Sequence, residues 1–545
     1  MKLVLAILIL LFLPCISFSS SLVNVPLDHW SYNFIARLQA KGLLTEYLRS
    51  SVPYSRGEMA DMAYSLSNFY KDGRIKLNPL ELELLEEMKN EFTFELTRKY
   101  PEYSTKEGNK HILDWVDEDR YITASLALSQ QASLVGNDKS YLSKLEVLTY
   151  GNISNNLSFY NHSEASYEAI KELPLWKLDG NDPRYKRYPW SALSNSYVVL
   201  GNSKINLLVG KDEIRWGPGY HGTIGLSGVN PAFDSIKIRT KLWKFNFTSL
   251  LGFLRDDLTK KYRSDLPSKY LAAHRVDIMI HPGITLAWQE AYIFTEKLHI
   301  ELVNPFMPYQ MAEDYLGEIG NNTMEGDIEI TLIPNVELYA SLFLDDFHTD
   351  KNPFKYTGFG WAGLAGFFWT DPFSLDNTNL IMEYARVEPW TYTHKGTRQA
   401  PPIPTSYKHF DVPLGHWMGP NADDLYINAG WWINKNLSTN FIYNRIRRGE
   451  EGSNINISPL YSSYYDGTKK EFLGGIVEET NSIGLTLEYR VFERFNLNLG
   501  YKYTKINNRQ KEEVDLPEND KNKLEWKEGW NTNENEFYLS LRFVY

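Results

Sequence analysis

Apolar and polar residues alternate along most of the chain from about Tyr121 to its end. At the carboxyl end every second residue is apolar, namely Phe537, Leu539, Leu541, Phe543 and Tyr545. This two-residue period predicts strands with one apolar and one mostly polar face. The pattern recurs at 425–433, 437–443, 483–489 and 495–503. The strand candidates number on the order of 16–20, which indicates one very large antiparallel sheet.

Short and long connections alternate between these predicted strands. Tight turns are expected at 201–203, 334–335, 434–436 and 491–494, and long polar stretches at 161–189, 387–423, 446–480 and 504–535. A soluble sandwich also alternates in polarity, so the period alone does not select a membrane. Outer-membrane barrels, however, combine short periplasmic turns with long outer loops. We therefore predict an all-β membrane protein whose residues 116–545 form a large antiparallel transmembrane β-barrel.

The aromatic content supports the barrel prediction. Aromatic residues make up 14% of the chain, including 36 Tyr and 15 Trp, and mean hydropathy is only -0.40. Girdles of Tyr and Trp at the two membrane interfaces account for such a composition in a barrel with a polar interior. Outer-membrane lipid is accordingly an expected partner, and the barrel is expected to be a monomer.

Helical spacing replaces the two-residue period near the amino terminus. Apolar residues between Tyr32 and Gly42 predict a first helix, and Ser55 and Glu58 fit a capping box that begins a second. A third is predicted from Pro79, with acidic residues in its first turn. Residues 22–115 are therefore expected to form a small periplasmic helical domain.

The first 21 residues carry the pattern of a secretory signal. Lys2 precedes an apolar run from Leu3 to Leu13, which ends at Pro14 and a Ser-rich stretch. The only cysteine, Cys15, lies inside this segment, so cleavage after it would leave a chain without thiols. Export to the outer membrane of a bacterium is the expected outcome.

Catalytic and metal-binding signatures are lacking in the sequence. It contains no phosphate-binding glycine loop, no His-Glu-x-x-His and no Cys/His cluster, and Asp345-Asp346 is expected to be a solvated strand end. The net charge of -11 disfavours nucleic acid as a partner. We therefore predict a protein that is not an enzyme, with no catalytic residues, no metal and no cofactor.

The most unusual stretch runs from Gly210 to Ser227 and is rich in glycine and aromatic residues. Its candidate functional side chains are Asp212, Arg215, Trp216, Tyr220 and His221. Their flat faces and polar edges could stack on sugar rings or pack a loop against the barrel wall, and packing is the favoured alternative. Strand parity places the stretch at the outer mouth or inside the lumen.

This stretch resembles the Wzi family of outer-membrane capsule-assembly proteins. The resemblance rests on Gly210-Lys211-Asp212 with Trp216-Gly217-Pro218-Gly219, then Leu226-Ser227 and Asn230 to Asp234. Further similar segments are 301–306 and 335–347. The resemblance implies a barrel of about 18 strands with helices at its periplasmic end, and a lectin-like role in holding exported polysaccharide.

The amino-terminal segments 25–32 and 53–59 resemble a shortened S-layer homology module. Complete modules of that type bind cell-wall polysaccharide, so residues 22–115 could contact peptidoglycan or another wall polymer.

Three functional hypotheses follow. The leading one is a lectin-like protein that attaches or organises capsular or exported polysaccharide at the cell surface, and its rivals are a porin or passive channel and a tether between outer membrane and cell wall.

Overall fold

A closed antiparallel β-barrel forms the body of the protein in a computed structural model. The structure describes residues 21–100, 103, 111–117, 120–136, 138–169, 190–191, 195–255, 268–317, 319–345, 352–356, 358–394, 405–410, 412–455, 470–492, 494–512 and 524–545. Eighteen strands of this part of the chain make up the wall, which lies within the range expected from the alternating pattern and equals the number that the family resemblance implied. The predicted signal segment 1–21 lies outside the described residues except for Ser21.

The strands follow one another around the wall in chain order. They are β1 Arg120–Val135, β2 Asp138–Ser154, β3 Leu157–Ala169, β4 Ser196–Gly201, β5 Ile205–Asp212, β6 Phe233–Leu242, β7 Phe245–Leu254, β8 Lys269–His281, β9 Ile284–Thr295, β10 Gly320–Ile333, β11 Val336–Asp345, β12 Gly360–Thr370, β13 Thr378–Val387, β14 Ala422–Asn434, β15 Leu437–Gly449, β16 Val477–Val491, β17 Phe495–Asn507 and β18 Thr532–Val544. Strand β18 pairs with β1 and closes the barrel. The last residue, Tyr545, exchanges backbone hydrogen bonds with Leu126.

Side chains alternate between lipid and lumen along each strand. On β11, Leu338 and Leu342 are exposed on the outer surface, whereas Glu337 and Ser341 are buried inside. The terminal strand β18 repeats the pattern, because Phe537 and Phe543 are exposed outside while Arg542 reaches Glu146 in the lumen. A barrel wall with an apolar outer and a polar inner face is the arrangement that a lipid bilayer requires.

Short turns gather at one end of the barrel, which faces the periplasm in outer-membrane barrels. The turns predicted near 201–203, 334–335, 434–436 and 491–494 all lie there, between β4 and β5, β10 and β11, β14 and β15, and β16 and β17. The predicted starts of the loops at 161 and 504 were wrong, because the strands before them are longer than expected: β3 continues to Ala169 and β17 to Asn507. Strands that rise beyond the lipid can be polar on both faces, so alternation in polarity no longer marks them.

Four helices precede the wall: α1 Ser31–Ala40, α2 Arg56–Lys71, α3 Pro79–Glu91 and α4 Thr93–Lys99. Ser55 and Glu58 form the predicted capping box at the start of α2. Asn78, which directly precedes Pro79, and Glu81 form a second box at α3. The predicted boundary at 115–116 falls within a short strand, Leu113–Asp117, that pairs with β1.

The helical unit is fastened to the short-turn end of the barrel by ion pairs. Arg37 of α1 contacts Asp371 in the turn between β12 and β13, with 2.5 Å between Nη2 and Oδ1. Glu58 of α2 meets Arg239 near the end of β6 at 2.9 Å. Glu87 of α3 accepts from Lys435 at 2.6 Å. The helices therefore cover this opening of the barrel.

Two further helices, α5 Ile300–Val303 and α6 Tyr309–Leu316, lie in the long connection between β9 and β10. They pack on the outside of the wall against residues of β7, β8 and β9. None of the helices in the described part of the chain is long and apolar enough to cross a membrane.

Candidate functional site in the barrel lumen

The glycine-rich connection between β5 and β6 turns into the lumen rather than away from the barrel. Arg215–Trp216 forms a two-stranded antiparallel pair with Ser51–Val52 of the amino-terminal segment. The Gly217 N–H also donates to the Ser50 carbonyl at 2.9 Å. Chain segments that enter from opposite ends of the barrel therefore meet inside it.

Three of the five candidate side chains serve this inward fold. Trp216 is only 2% exposed and packs in a luminal core with Ile224 and Leu226. Asp212 is buried and accepts from Lys237 at 2.7 Å and from Asn24 at 2.9 Å. The Arg215 guanidinium donates to the Gly219 carbonyl and so closes the glycine-rich turn. A buried side chain of this kind offers little surface to a ligand.

Glu383 on the luminal face of β13 holds the tip of the connection. Its carboxylate accepts the backbone N–H groups of Tyr220, His221 and Gly222 at 2.6, 3.1 and 3.1 Å. Hydrogen bonds to a charged acceptor are stronger than those between neutral groups. The tip is consequently fixed to the wall through its backbone.

Tyr220 is anchored a second time through its side chain. Its hydroxyl donates to Glu337 at 2.8 Å, and its ring stacks on Phe368 with centroids 5.0 Å apart. The Arg49 guanidinium lies 4.3 Å from the centroid of the same ring. The polar edge and the faces of Tyr220 are thus engaged by the wall and by the amino-terminal segment.

The His221 side chain is partly accessible, at 26% exposure. Its ring stacks on Tyr426 of β14 with centroids 3.8 Å apart, and Trp417 packs edge-on at 5.3 Å. Burial lowers the pKa of His221 to about 4, so the imidazole is neutral at physiological pH. We name His221, Trp417 and Tyr426 the luminal aromatic cluster.

Polar groups border the luminal aromatic cluster. The Asp424 carboxylate lies 3.4 Å from His221 Nε2 and also accepts from Asn444. Half-buried ring faces beside carboxylate and amide groups are the surface that stacks on and hydrogen-bonds to sugars.

The connection between β13 and β14 packs over the inward loop. Tyr392 donates its hydroxyl to the Ile224 carbonyl at 2.7 Å, and the Ser227 N–H donates to the Leu414 carbonyl at 2.8 Å. Buried Tyr392, Tyr407 and Leu414 join Trp216 in one apolar core. The two connections therefore fill the lumen beside strands β6 to β14 with packed side chains.

Charged side chains line the lumen on the opposite wall. Ion pairs join neighbouring strands there: Lys144 with Glu164, Lys502 with Glu536, and Arg542 with Glu146. The Lys502 side chain is half-exposed. The luminal aromatic cluster is thus bordered by a polar and hydrated inner surface.

The sequence analysis included His221 and Tyr220 among its candidates but not Trp417, Tyr426 or Glu383. Tyr426 falls on the face of the 425–433 segment opposite to its apolar residues, so its luminal position was readable from parity alone. Trp417 lies in a stretch expected to be a polar loop, and Glu383 lies far from the loop tip in sequence. Only the closed barrel brings them together.

No group of three or more His, Cys, Asp or Glu side chains able to hold a metal ion occurs among the residues whose positions are given. Asp345, considered from the sequence as a solvated strand end, is instead buried and accepts from the Tyr392 N–H at 2.6 Å. Asp346 lies outside the described residues.

Comparison with known proteins supports the fold and names a family. The structure of Wzi from Escherichia coli, an outer-membrane protein involved in group 1 capsule assembly and a carbohydrate-binding β-barrel, aligns over 96% of this chain and 99% of that one, with 12% identity and a TM-score of 0.56. OprD of Pseudomonas aeruginosa aligns over 78% of this chain and 95% of its own, with 11% identity and a TM-score of 0.41. OccD3 of the same organism aligns over 78% of this chain and 91% of its own, with 10% identity and a TM-score of 0.42. No curated protein sequence matches the chain.

The chain has the fold of an outer-membrane β-barrel, as its alternating strands predicted. Residues 318–520 match the family described as capsule assembly protein Wzi. This segment spans β10 to β17 and contains Glu383, Trp417 and Tyr426, which hold or border the inward loop. Over residues 318–520, and in its whole barrel architecture, the chain is therefore similar to the Wzi family of capsule assembly proteins.

Proposed function

We propose that this protein binds capsular or exported polysaccharide at the cell surface and organises it there without catalysing a reaction. The carbohydrate-binding Wzi barrel of Escherichia coli supports this function, because the two chains align over almost their whole lengths. The match of residues 318–520 to a capsule assembly family supports the same role. No cofactor is needed, since aromatic stacking and hydrogen bonds suffice for sugar binding.

The luminal aromatic cluster is the proposed contact surface for sugar rings among the residues that the structure describes. His221 and Tyr426 already form a stack, and Trp417 stands edge-on beside it. Asp424 and Asn444 supply hydrogen-bonding groups next to the rings. The observation that carries the proposal is this combination of half-buried rings and polar side chains at the tip of the family's tryptophan-glycine loop.

Retention of the purified protein on immobilised capsular polysaccharide tests the proposal. We expect Trp417→Ala and Tyr426→Ala to reduce retention by about tenfold each. Stacking of a nucleobase on an aromatic side chain is worth about 1–3 kcal/mol, and a loss at the lower end of that range for a sugar ring corresponds to about tenfold. Trp243→Ala is a matched control, since Trp243 is 90% exposed in the short turn between β6 and β7 at the opposite end of the barrel.

Trp216→Ala is a different kind of variant. It removes a side chain from the luminal core and is expected to loosen the whole inward loop, at a cost of about 3–5 kcal/mol. Equal retention of Trp417→Ala, Tyr426→Ala and the Trp243→Ala control on polysaccharide would contradict the proposed contact surface.

A passive channel is the alternative that conductance distinguishes. The packed core between the two inward connections narrows the lumen beside β6 to β14. We expect the reconstituted protein to show no stable open current in planar lipid bilayers. A persistently open channel, together with no retention on polysaccharide, would favour the porin hypothesis.

A further inference from the structure

The connection between β9 and β10 lies against the outside of the barrel. Leu302, Tyr309 and Ala312 of α5 and α6 are buried against Tyr292 and Phe294 of β9. Ala291 and Ile293, the neighbours of Tyr292 on the same strand, belong to the luminal core. Because side chains alternate across a strand, Tyr292 and Phe294 point outward, and α5 and α6 cover the lipid side of the wall.

An acid–base pair lies beneath this cover. His274 of β8 and Glu290 of β9 point outward, and their side chains are 3.0 Å apart. Glu290 occupies the middle of its strand, and the next outward positions toward the short turns are the exposed Trp288 and Leu286. Without a cover, this pair would lie in the lipid-facing belt, where a charged group is costly.

The pair also fastens the cover to the wall. Glu290 accepts the backbone N–H of Tyr309, the first residue of α6, at 3.2 Å. The Tyr309 ring lies over His274, with centroids 4.6 Å apart. A carboxylate at a helix start satisfies an N–H group that has no partner within the helix.

Large apolar side chains on the other side of the segment remain mostly exposed. Ile300, Phe306, Met311 and Tyr315 are 75%, 78%, 66% and 79% exposed. Met311 and Tyr315 are four residues apart and share one flank of α6, whereas Gln310 and Asp314 share the next. Gln310 accepts from Asn322 of β10, which fixes the rotation of the helix.

We propose that residues 298–316 form a membrane-embedded flap whose exposed apolar side chains contact the acyl chains of the outer leaflet. The flap continues the lipid-facing surface of the barrel, because Phe306 stacks on the outward Phe247 of β7 with centroids 5.3 Å apart. It leaves β9 at the end of the barrel with long connections, which is the outer side. The partner of this surface is therefore lipid, and the flap shields the His274–Glu290 pair from it.

Site-directed spin labelling of the full chain in phosphatidylcholine vesicles tests the flap. Cys15 is the only cysteine, so Cys15→Ser gives a thiol-free background for single cysteines at Phe306, Met311 and Tyr315. Two reference positions frame the result: Leu286 on the lipid-facing wall and Leu375 in the short turn between β12 and β13, which are 40% and 59% exposed. For each label we measure the rate of collision with oxygen, which concentrates in lipid, and the rate of collision with a nickel complex, which stays in water.

We expect labels at the three flap positions to collide with oxygen as often as the label at Leu286. Nickel accessibility like that of Leu375 would overturn the proposal. Low accessibility to both reagents would overturn it as well, because that result would indicate protein contact, such as a second copy of the chain.

A pair of matched variants tests the same proposal without labels. Phe306→Glu places a charge in the flap, and Phe373→Glu places one in a short turn at a side chain that is 77% exposed. We expect Phe306→Glu to lower the yield of heat-modifiable, folded protein in vesicles severalfold and Phe373→Glu to leave it unchanged. Equal yields of the two variants would contradict the embedded flap. Neither experiment depends on polysaccharide binding.

Discussion

The ion pair between Glu58 and the wall gives the sharpest prediction about how the helical unit is held. Arg239 Nη1 and Nη2 both donate to the Glu58 carboxylate at 2.9 Å, and Lys241 lies 3.3 Å away. The Glu58 side chain is largely buried. The substitution Glu58→Gln removes the charge but keeps an amide oxygen that can accept from the Ser55 N–H in the capping box.

The expected magnitude follows from the pKa of Glu58. Burial by itself would raise this pKa, but Arg239 and Lys241 lower it to about 2 from an ordinary value of 4.5. At 1.36 kcal/mol for each pKa unit, the charge contributes about 3 kcal/mol to docking at neutral pH. Because the pKa is lowered in the docked state, this contribution is complete above pH 4.5 and is lost as the pH falls toward 2.

Hydrogen exchange of the α2 amides in detergent-solubilised protein measures the effect. At pH 7 we expect exchange in Glu58→Gln to be about 100-fold faster than in the wild type, corresponding to about 3 kcal/mol. The difference should shrink as the pH is lowered from 4.5 to 2.5. Glu86→Gln is the matched control, because Glu86 forms an exposed pair with Lys89 on α3. Protection in Glu58→Gln equal to that in the control at pH 7 would refute the reasoning.

Three further predictions concern the inward loop. Glu383→Ala leaves three backbone N–H groups without their acceptor, so we expect flickering current in planar bilayers where the wild type is quiet; silent records from the variant would count against the anchor. Gly219→Ala forces a methyl group into the Gly222 carbonyl and should lower the temperature of heat-modifiable unfolding by several degrees, unlike Gly326→Ala, whose added carbon meets nothing closer than 3.9 Å. Burial lowers the pKa of His221 to about 4 and of His416 to about 3, so the stability of the inward loop should fall as the pH is lowered from 6.5 toward 4. Hydrogen exchange of the amides of residues 213–232, corrected for intrinsic rates, measures this stability. Protection that stays constant over this pH range would contradict the prediction.

Much of the barrel could be predicted because its determinants are local. Strands such as β18 meet only lipid on their outer face, so the two-residue period of residues such as Phe537 and Leu539 is visible in the sequence. The caps of α2 and α3 are equally local, since Ser55 and Glu58 lie three residues apart. The predicted strand end was wrong at the outer end of strands such as β3, because water reaches both faces of the strand there.

The interior of the site could not be read in the same way. Glu383 receives the loop tip from residues more than 160 positions earlier, and nothing near Glu383 in sequence distinguishes it from other luminal acids. The flap between β9 and β10 has no periodic signal long enough to reveal that α6 packs outside the wall. Tertiary contacts across the closed barrel determine both features.

The short ladder between Ser51–Val52 and Arg215–Trp216 joins a segment from the periplasmic side to a loop from the cell-surface side. Any movement of the loop must therefore either carry the amino-terminal segment with it or break backbone hydrogen bonds. Tension applied to the inward loop from outside the cell would therefore reach the helices on the other side of the membrane through this ladder.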